Sequence, residues 1–444
     1  MGHAANPDRA YRLLQQRLDR NVTGAPPSES LMKILELLCT PDEADIARRV
    51  PTKFIALEKL ARRLDMAPDA LDETLTRLAE RGLVIDLEHR APHQETGTRY
   101  FSLAPVVIGF FEFVFMRTDG ALPMTELARL FEDYMLADDR FARAVFQGET
   151  QIGRAMVREE TLPAESYTEI LDWERATHVI ESAATIGVST CACRHEAEHL
   201  GRACDAPQET CLSFGIGAQS LIHKDFAREV DAGEGLEILA RAKAAGLMQT
   251  GDNVQRRLTY LCNCCGCCCN MIAAIRRFDL RNAIVTSNWI MEVDAAACIG
   301  CGKCAEMCPV GAITLEEQAT PEGEVRRPQR KAVRDATLCL GCGVCVDACP
   351  VEALRMRPRA QRIYTPETTF DRIVAMAIER GKLANLIFED QELLSHRALG
   401  RIVSVLEKSP PVQAALAIQP LRSTFLSLAV KGARGFLGDI AEEV

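Results

Sequence analysis

The sequence of 444 residues predicts a multidomain chain of the α+β class. Three observations predict it: helical periodicity followed by strand-like runs near the N terminus, ten cysteines crowded into a central unit, and a duplicated cysteine motif. We therefore expect an N-terminal winged helix, a central cysteine-rich α/β unit, a two-cluster unit and a helical C-terminal tail. The length allows several domains, since a domain usually has about 100–200 residues.

Helix and strand patterns over residues 30–104 carry the winged-helix prediction. They predict helices over Leu31–Cys39, Leu57–Leu64 and Pro68–Arg81, the last one ended by Gly82. Strands are then expected at 83–87 and 99–103, around a polar wing. The aromatic run Val106–Met116 is expected to be buried.

Five units follow from these patterns. They are a winged-helix domain with an N-terminal helix over 1–118, a helical connector over 119–186, a cysteine-rich domain over 187–289, a two-cluster domain over 290–360 and a helical C-terminal region over 361–444. Pro163 is expected to break the connector.

The nineteen cysteines bear on the compartment. They cluster in C-x-x-C patterns within a long chain, whereas a disulfide framework is typical of short secreted domains. Metal binding in a reducing cytoplasm is therefore expected. Residues 1–20 show no signal peptide, and no run is apolar enough to span a membrane.

The motif C-x2-C-x2-C-x3-C-P occurs twice, at 298–309 and at 339–350. The copies align without gaps over eighteen positions, nine of them identical. This spacing holds a cubane iron–sulfur cluster, and in a duplicated arrangement the fourth cysteine ligates the other cluster. Two [4Fe-4S] clusters are therefore expected. The first is assigned to Cys298, Cys301, Cys304 and Cys349, and the second to Cys339, Cys342, Cys345 and Cys308.

These two runs resemble the bacterial two-cluster [4Fe-4S] ferredoxins over about 290–357, including the strand-like flanks 290–294 and 331–335. The resemblance implies a ferredoxin-like domain that carries electrons. The chain departs from that pattern in a charged, proline-containing insertion at 316–330, which is expected to be a docking hairpin.

Ten further cysteines precede the duplicated motif, and six of them occupy eight positions at 262–269. One cubane cannot bind all six of these thiolates, so at least two binding sites are expected. If the segment is extended before Gly266, Cys262 and Cys264 share one face while Cys265 points away. If a helix already includes Cys265, then Cys265, Cys268 and Cys269 share a face. The expected metal ligands are Cys191, Cys193, Cys204, Cys211, Cys262, Cys264, Cys265, Cys267, Cys268 and Cys269, which would hold one or two further Fe–S clusters.

A wider resemblance covers most of the chain. A winged-helix start, C-x-C-R at 191–194, Cys204, C-L-x-F at 211–214, C-N-C-C-G-C-C-C at 262–269 and the ferredoxin pair are similar to a family of 4Fe-4S dicluster-containing proteins from anaerobic bacteria. That family implies an architecture more than an activity.

The cysteines make an electron-transfer protein or oxidoreductase subunit the favoured function, relaying electrons between the upstream site and the ferredoxin pair. The alternatives are a redox-responsive transcriptional regulator and a reductase whose substrate binds at the upstream cluster. A net charge of −10 suits docking on a redox partner protein and disfavours nucleic acid. The third helix of the winged unit is itself acidic. A homodimer is also allowed.

Three further features bear less strongly on the function. The run 412–436 is apolar enough to touch a membrane, but an ordinary packed helix is favoured. His195-Glu196-Ala-Glu-His199 matches the zinc-protease pattern H-E-x-x-H, but it directly follows Cys193 and lacks a third-ligand signature. Cys39 lies within an apolar helical pattern and is expected to be a core residue.

Overall fold

The structure is a computed structural model that describes residues 7–89, 97–164, 169–317, 330–388 and 401. Its N-terminal part is built from helices and a small sheet. The helices are α1 (Pro7–Asp19), α2 (Glu29–Leu38), α3 (Pro41–Ala47), α4 (Leu57–Leu64) and α5 (Pro68–Glu80). The strands are β1 (Ile55–Ala56), β2 (Val84–His89) and β3 (Thr98–Leu103), in the antiparallel order β1-β3-β2.

Local chemistry explains these elements. Ser28 caps α2 by accepting a hydrogen bond from the Leu31 amide, and Thr40 and Glu43 form a capping box on α3. The helices and strands predicted over residues 30–104 are present within a few residues of their expected bounds. The wing itself lies outside the described residues, and the winged-helix assignment stays a prediction.

The expected helical connector has helices near both of its ends and a strand between them. After α6 (Phe111–Met116), whose phenylalanines Phe111 and Phe115 are buried as expected, come α7 (Met124–Leu136) and α8 (Arg140–Phe146). Between residues 147 and 175 the described residues form short 3-10 turns and a strand, and a helix follows at Ala176–Ser182, so the helical connector stays a prediction. Strand β4 (Gly153–Ala155) enters a sheet by pairing with residues 250–252. A strand of three residues has no readable periodicity, so its partner about a hundred residues away decides its structure.

The central sheet has six antiparallel strands in the order β4-β8-β9-β6-β5-β7. Its further strands are β5 (Ile186–Thr190), β6 (Glu209–Phe214), β7 (Arg228–Val230), β8 (Met248–Asp252) and β9 (Tyr260–Cys264). The helices of this unit are α9 (Ala176–Ser182), α10 (Ala192–His199), α11 (Gly215–His223), α12 (Ala232–Ala244) and α13 (Asn270–Phe278). The cysteines of this unit lie on β6 and β9, at the starts of α10 and α13, and in the segments that connect these elements.

The duplicated motif lies between two antiparallel strand pairs. The strands are β10 (Trp289–Val293), β11 (Ile313–Glu317), β12 (Arg330–Arg334) and β13 (Leu354–Pro358), and the short helices are α14 (Lys303–Met307) and α15 (Val344–Asp347). β10 pairs with β13 and β11 with β12, so each pair takes one strand from each copy of the motif. The strands expected at 290–294 and 331–335 are confirmed. Most of the expected docking hairpin lies outside the described residues.

The described C-terminal elements are α16 (Thr369–Glu379) and α17 (Leu383–Ile387). Lys382 donates to the backbone carbonyls of Asp19 and Asn21, so this region packs on the N-terminal helices. The apolar run 412–436 lies outside the described residues. Within the described part of the chain, no helix has the length and apolarity needed to cross a membrane. The chain is thus a mixed helix-and-strand protein of the α+β kind, while the domain boundaries stay a prediction.

Candidate iron–sulfur centres

Each copy of the duplicated motif wraps its cysteines with the same backbone geometry. Gly300 and Gly302 have φ of 67° and 84°, and Gly341 and Gly343 have φ of 71° and 84°. Only glycine adopts such angles without strain, which lets one loop present three thiols inward. After the fourth cysteine, the Ala312 amide donates to the Cys308 Sγ at 3.2 Å, a bond that stabilises a thiolate. The Ala353 amide does the same for Cys349 at 3.3 Å.

The structure brings the first predicted quartet around one small cavity. Cys298, Cys301 and Cys304 line it from the first motif copy, and Cys349 lines it from the second. The remaining wall is apolar, with Leu315 and Leu354. A cavity with four thiols and an apolar wall fits a cubane cluster. Cys301 and Ile299 are exposed, so this site lies at the protein surface.

The second predicted quartet lies deeper. Cys339, Cys342 and Cys345 are buried, and Cys308 lies close enough that its charge raises the pKa of Cys345, after the larger effect of burial. Burial also raises the pKa of Cys342 to about 12. Arg158, which is 3% exposed, forms an ion pair with Asp347, and its amide donates to the Cys342 carbonyl at 3.0 Å. A buried cation therefore lies beside the inner site.

The ten upstream cysteines divide into two groups. Six of them form what we call the six-cysteine centre: Cys191, Cys193, Cys211, Cys262, Cys264 and Cys269. The other four, Cys204, Cys265, Cys267 and Cys268, form what we call the four-cysteine site, with all sulfurs within 4.8 Å of one another. The structure thus contains two separate groups of cysteines, as the crowding at 262–269 predicts.

Sheet register builds the six-cysteine centre. β6 pairs with β9 so that Leu212 faces Leu261, which places Cys211 and Cys262 next to each other across the strands. Cys262 and Cys264 alternate onto the same face of β9, as expected for an extended segment. The alternative, a helix that includes Cys265, is wrong, because α13 begins only at Asn270.

The thiols of this centre contact one another in a chain. Hydrogen bonds join the thiols in sequence. They connect Cys193 with Cys269, Cys269 with Cys264, Cys264 with Cys262 and Cys262 with Cys211. Hydrogen bonds from Cys262 and Cys269 lower the pKa of Cys264 to about 6. Free thiols packed this closely are prone to oxidise, so their arrangement fits a shared metal centre.

Arg194 supplies the countercharge. Its side chain is completely buried between the two groups and donates to the Asn263 carbonyl and to the Thr210 hydroxyl. Both partners are neutral. Although burial opposes its charge, nearby Cys191 and Cys265 raise the pKa of Arg194. A buried arginine is stabilised by neighbouring anions, and metal-bound thiolates at these positions would supply them.

Buried polar atoms without hydrogen-bond partners also favour a bound group at the six-cysteine centre. Arg194 Nε and Ser189 Oγ find no hydrogen-bond partner among the described residues. Ser189 is paired with Cys211 in the strand register, and both line the cavity beside the six-cysteine centre. Such atoms can bond the sulfide of a bound cluster, so the residues present fit an iron–sulfur group here.

A cavity of about 1840 Å³ opens beside the six-cysteine centre. All six of its cysteines line this cavity, together with the apolar side chains Phe111, Met116 and Phe214. Glu112 also lines it and accepts a hydrogen bond from the Gly109 amide at 2.8 Å. Burial raises the pKa of Glu112 to about 8. The cavity therefore combines an apolar wall with a carboxyl group that retains its proton to a higher pH than usual.

The upstream unit touches the duplicated unit through Gly266. A Cβ built on this glycine would lie 2.8 Å from the Pro309 carbonyl oxygen, so only glycine fits. Gly266 lies between Cys265 and Cys267, and Pro309 directly follows Cys308. The turn that carries the upstream ligands is therefore in backbone contact with the inner predicted cluster site.

Sequence reasoning missed Arg194, Arg158, Glu112 and Gly266, whose roles depend on long-range packing. Three other residues of interest are explained without a metal. His195 Nδ1 lies 2.7 Å from the Phe115 carbonyl oxygen, and His199 lies 3.1 Å from the His195 ring nitrogen. Cys39, 4% exposed, donates to the Leu35 carbonyl and is a core residue, as expected.

Fold and site together define an electron-carrying iron–sulfur protein. The family model described as the 4Fe-4S dicluster domain matches residues 297–353, which supports a ferredoxin-type domain with Fe–S clusters and an electron-transfer role. No curated protein and no solved structure matches the chain. Ligation by the individual cysteines, the number of clusters and the wider family stay predictions.

Proposed function

We propose that the chain is an oxidoreductase component that passes electrons between the ferredoxin pair and a further Fe–S cluster in the six-cysteine centre. The contact of Gly266 with Pro309 carries this proposal. It joins the turn between Cys264 and Cys269, two cysteines of the six-cysteine centre, to the loop that follows Cys308, without intervening side chains. A direct backbone contact between two ligand-bearing loops gives electrons a short path.

In this proposal, electrons enter at the protein surface and move inward from one centre to the next. The first quartet is exposed at Cys301, and Ile299, with 63% of its surface exposed, and Val351 form an apolar rim beside it. A redox partner protein would dock on this rim, and the net charge of −10 would favour a basic partner. The second quartet is buried, and the six-cysteine centre follows it. All nineteen cysteines are free, which agrees with a reducing cytoplasm.

Metal analysis of anaerobically purified protein tests this proposal. Two cubanes require about eight iron and eight sulfide per chain, and a further cubane about four more of each. Cys264→Ser should remove only the additional iron and change the EPR spectrum of the reduced protein. Cys39→Ser is the matched control and should leave the iron content unchanged. Iron that stops at about eight and does not respond to Cys264→Ser would rule out the upstream cluster.

A second candidate, a reductase whose substrate binds at the six-cysteine centre, is favoured by the adjoining cavity. Six thiols exceed the four that a cubane uses, which leaves room for unusual ligation. Glu112 would supply a proton to the reduced guest. Small molecules with a reducible group should then perturb the EPR signal of the upstream cluster in the wild type. If no such molecule changes this EPR signal, the reductase candidate is ruled out and electron transfer remains the proposed function.

The regulator alternative finds less support. Arg77 and Arg81, the cations of helix α5, both form ion pairs with Glu43 at 3.0 and 2.8 Å. DNA binding needs such cations free for phosphate. We therefore propose no nucleic-acid partner. A salt-dependent, sequence-selective gel shift with the cluster-loaded chain would reverse this view.

A further inference from the structure

The four-cysteine site differs in its spacing from the other cysteine groups. Cys268 Sγ lies 3.6 Å from Cys267 Sγ and 4.0 Å from Cys204 Sγ. With Zn–S bonds of about 2.3 Å, a tetrahedral ion places neighbouring sulfurs at roughly 3.8 Å. The observed distances bracket this value, so the site has the dimensions of a single-ion centre.

The two ferredoxin quartets provide an internal comparison. A cubane binds each thiolate to a different iron, so its four sulfurs must be spread around the cluster. Among the residues that the structure describes, the four-cysteine site is the only group of three or more potential ligands with all atoms within 4.8 Å. All eight ferredoxin cysteines are described, and neither quartet is that compact.

The four-cysteine site lies where two irregular segments of the chain meet, so an ion bound there would hold them together. Cys204 lies in the irregular segment between α10 and β6, and the other three ligands lie in the short turn between β9 and α13. Neither segment has a strand partner at these residues. Four protein ligands close a tetrahedral site completely and leave no position for substrate, as in structural zinc centres.

We propose that Cys204, Cys265, Cys267 and Cys268 bind one zinc ion that fixes the turn around Gly266. Zinc carries no electrons, so the ion would hold this turn against Pro309 while electrons pass between the neighbouring Fe–S centres. The ion would also tie the start of α13, and with it Cys269, to the Cys204 segment. This inference goes beyond the proposed electron transfer, because a chain could relay electrons with or without such a clamp.

Zinc analysis and X-ray absorption of the full-length chain test the inference. Protein produced anaerobically with iron, sulfide and zinc all supplied should contain one zinc per chain. Its absorption spectrum should give four sulfur neighbours at about 2.3 Å and no metal–metal scattering. Adding Co²⁺ in place of zinc during production should give the visible spectrum of a tetrahedral thiolate complex, with one cobalt per chain.

Two variants separate this site from the six-cysteine centre. Cys204→Ser should lose the zinc and keep the upstream iron, while Cys264→Ser should keep the zinc and lose that iron. The X-ray absorption spectrum of the wild type identifies the metal and its ligands even if a variant fails to fold. Iron in place of zinc, as a single ion or as a cluster, overturns the proposal. A loss of about four iron and four sulfide in Cys204→Ser does so too.

Discussion

At the scale of single residues, Arg194 sets the charge balance of the upstream centres. It is fully buried, and its hydrogen-bond partners Asn263 and Thr210 are neutral. Its positive charge therefore stabilises the more reduced, more negative state of a neighbouring cluster. The sequence offers only C-x-C-R as a hint, since an arginine after two cysteines reads as a surface charge.

Replacing Arg194 with methionine should lower the reduction potential of the upstream cluster. One kilocalorie of lost stabilisation corresponds to roughly 40 mV for one electron, so a shift of tens of millivolts is expected. Potentiometric EPR titration measures it. Arg194→Lys, which keeps the charge, is the control and should restore most of the potential. Equal potentials in all three proteins would show that the charge does not act on the cluster.

Glu112 makes stability depend on pH. Burial raises its pKa to about 8 from the ordinary 4.5, so the folded chain retains a proton that the unfolded chain releases. The stability contributed by this group is complete below about pH 4.5 and is lost as the pH rises through about 8. Glu112→Gln should therefore gain in thermal midpoint over the wild type between about pH 5 and pH 8. A constant difference across that range would contradict the assignment.

Cys39 is the one cysteine that the structure places away from every ligand group. It packs as a small apolar residue whose thiol donates to the Leu35 carbonyl, and burial raises its pKa to about 12. Cys39→Ala should cost about 1 kcal/mol of stability and leave the metal content of the chain unchanged. Thermal unfolding and metal analysis check both parts. Any loss of iron would mean that Cys39 is a ligand.

At the scale of elements, the two cluster loops depend on glycines that contact backbone. A Cβ on Gly341 would clash with the Trp289 carbonyl oxygen, and φ there is +71°. Gly311 has the same φ, but nothing lies within 4 Å of its Cβ position. Gly341→Ala should therefore prevent its loop from closing and lose about four iron. Gly311→Ala should lose only about 1–2 kcal/mol of stability and keep its iron. Similar iron losses in the two variants would point to strain alone.

Elements that depend on local sequence could be predicted, and those that depend on pairing could not. The Pro68 helix, the strands beside the cluster loops and the repeated glycine turns follow from motifs a few residues long. The division of the ten upstream cysteines depends on the register of Leu212 with Leu261, which joins segments about fifty residues apart. No local pattern specifies such a register.

At the scale of the whole molecule, one core joins the units that the sequence separates. A continuous set of buried side chains extends from Leu14 in α1 through Phe131 and Ile272 to Met356 in β13. C-terminal Arg372 forms a buried ion pair with Asp252 of the central sheet. The centres are therefore held at fixed separations, as electron transfer without docking steps requires.

This fixed arrangement predicts an order among the centres. Cys345→Ala removes a predicted ligand of the buried inner cluster and should slow reduction of the upstream cluster by a protein donor more than tenfold. Cys301→Ala affects the exposed outer cluster. It should slow reduction by a protein donor but hardly affect reduction by a small diffusible one, which can reach the inner centres directly. Freeze-quench EPR after rapid mixing follows each centre. Reduction of the upstream cluster at the native rate in Cys345→Ala would mean that electrons enter through the cavity, and that the ferredoxin pair lies on a separate path.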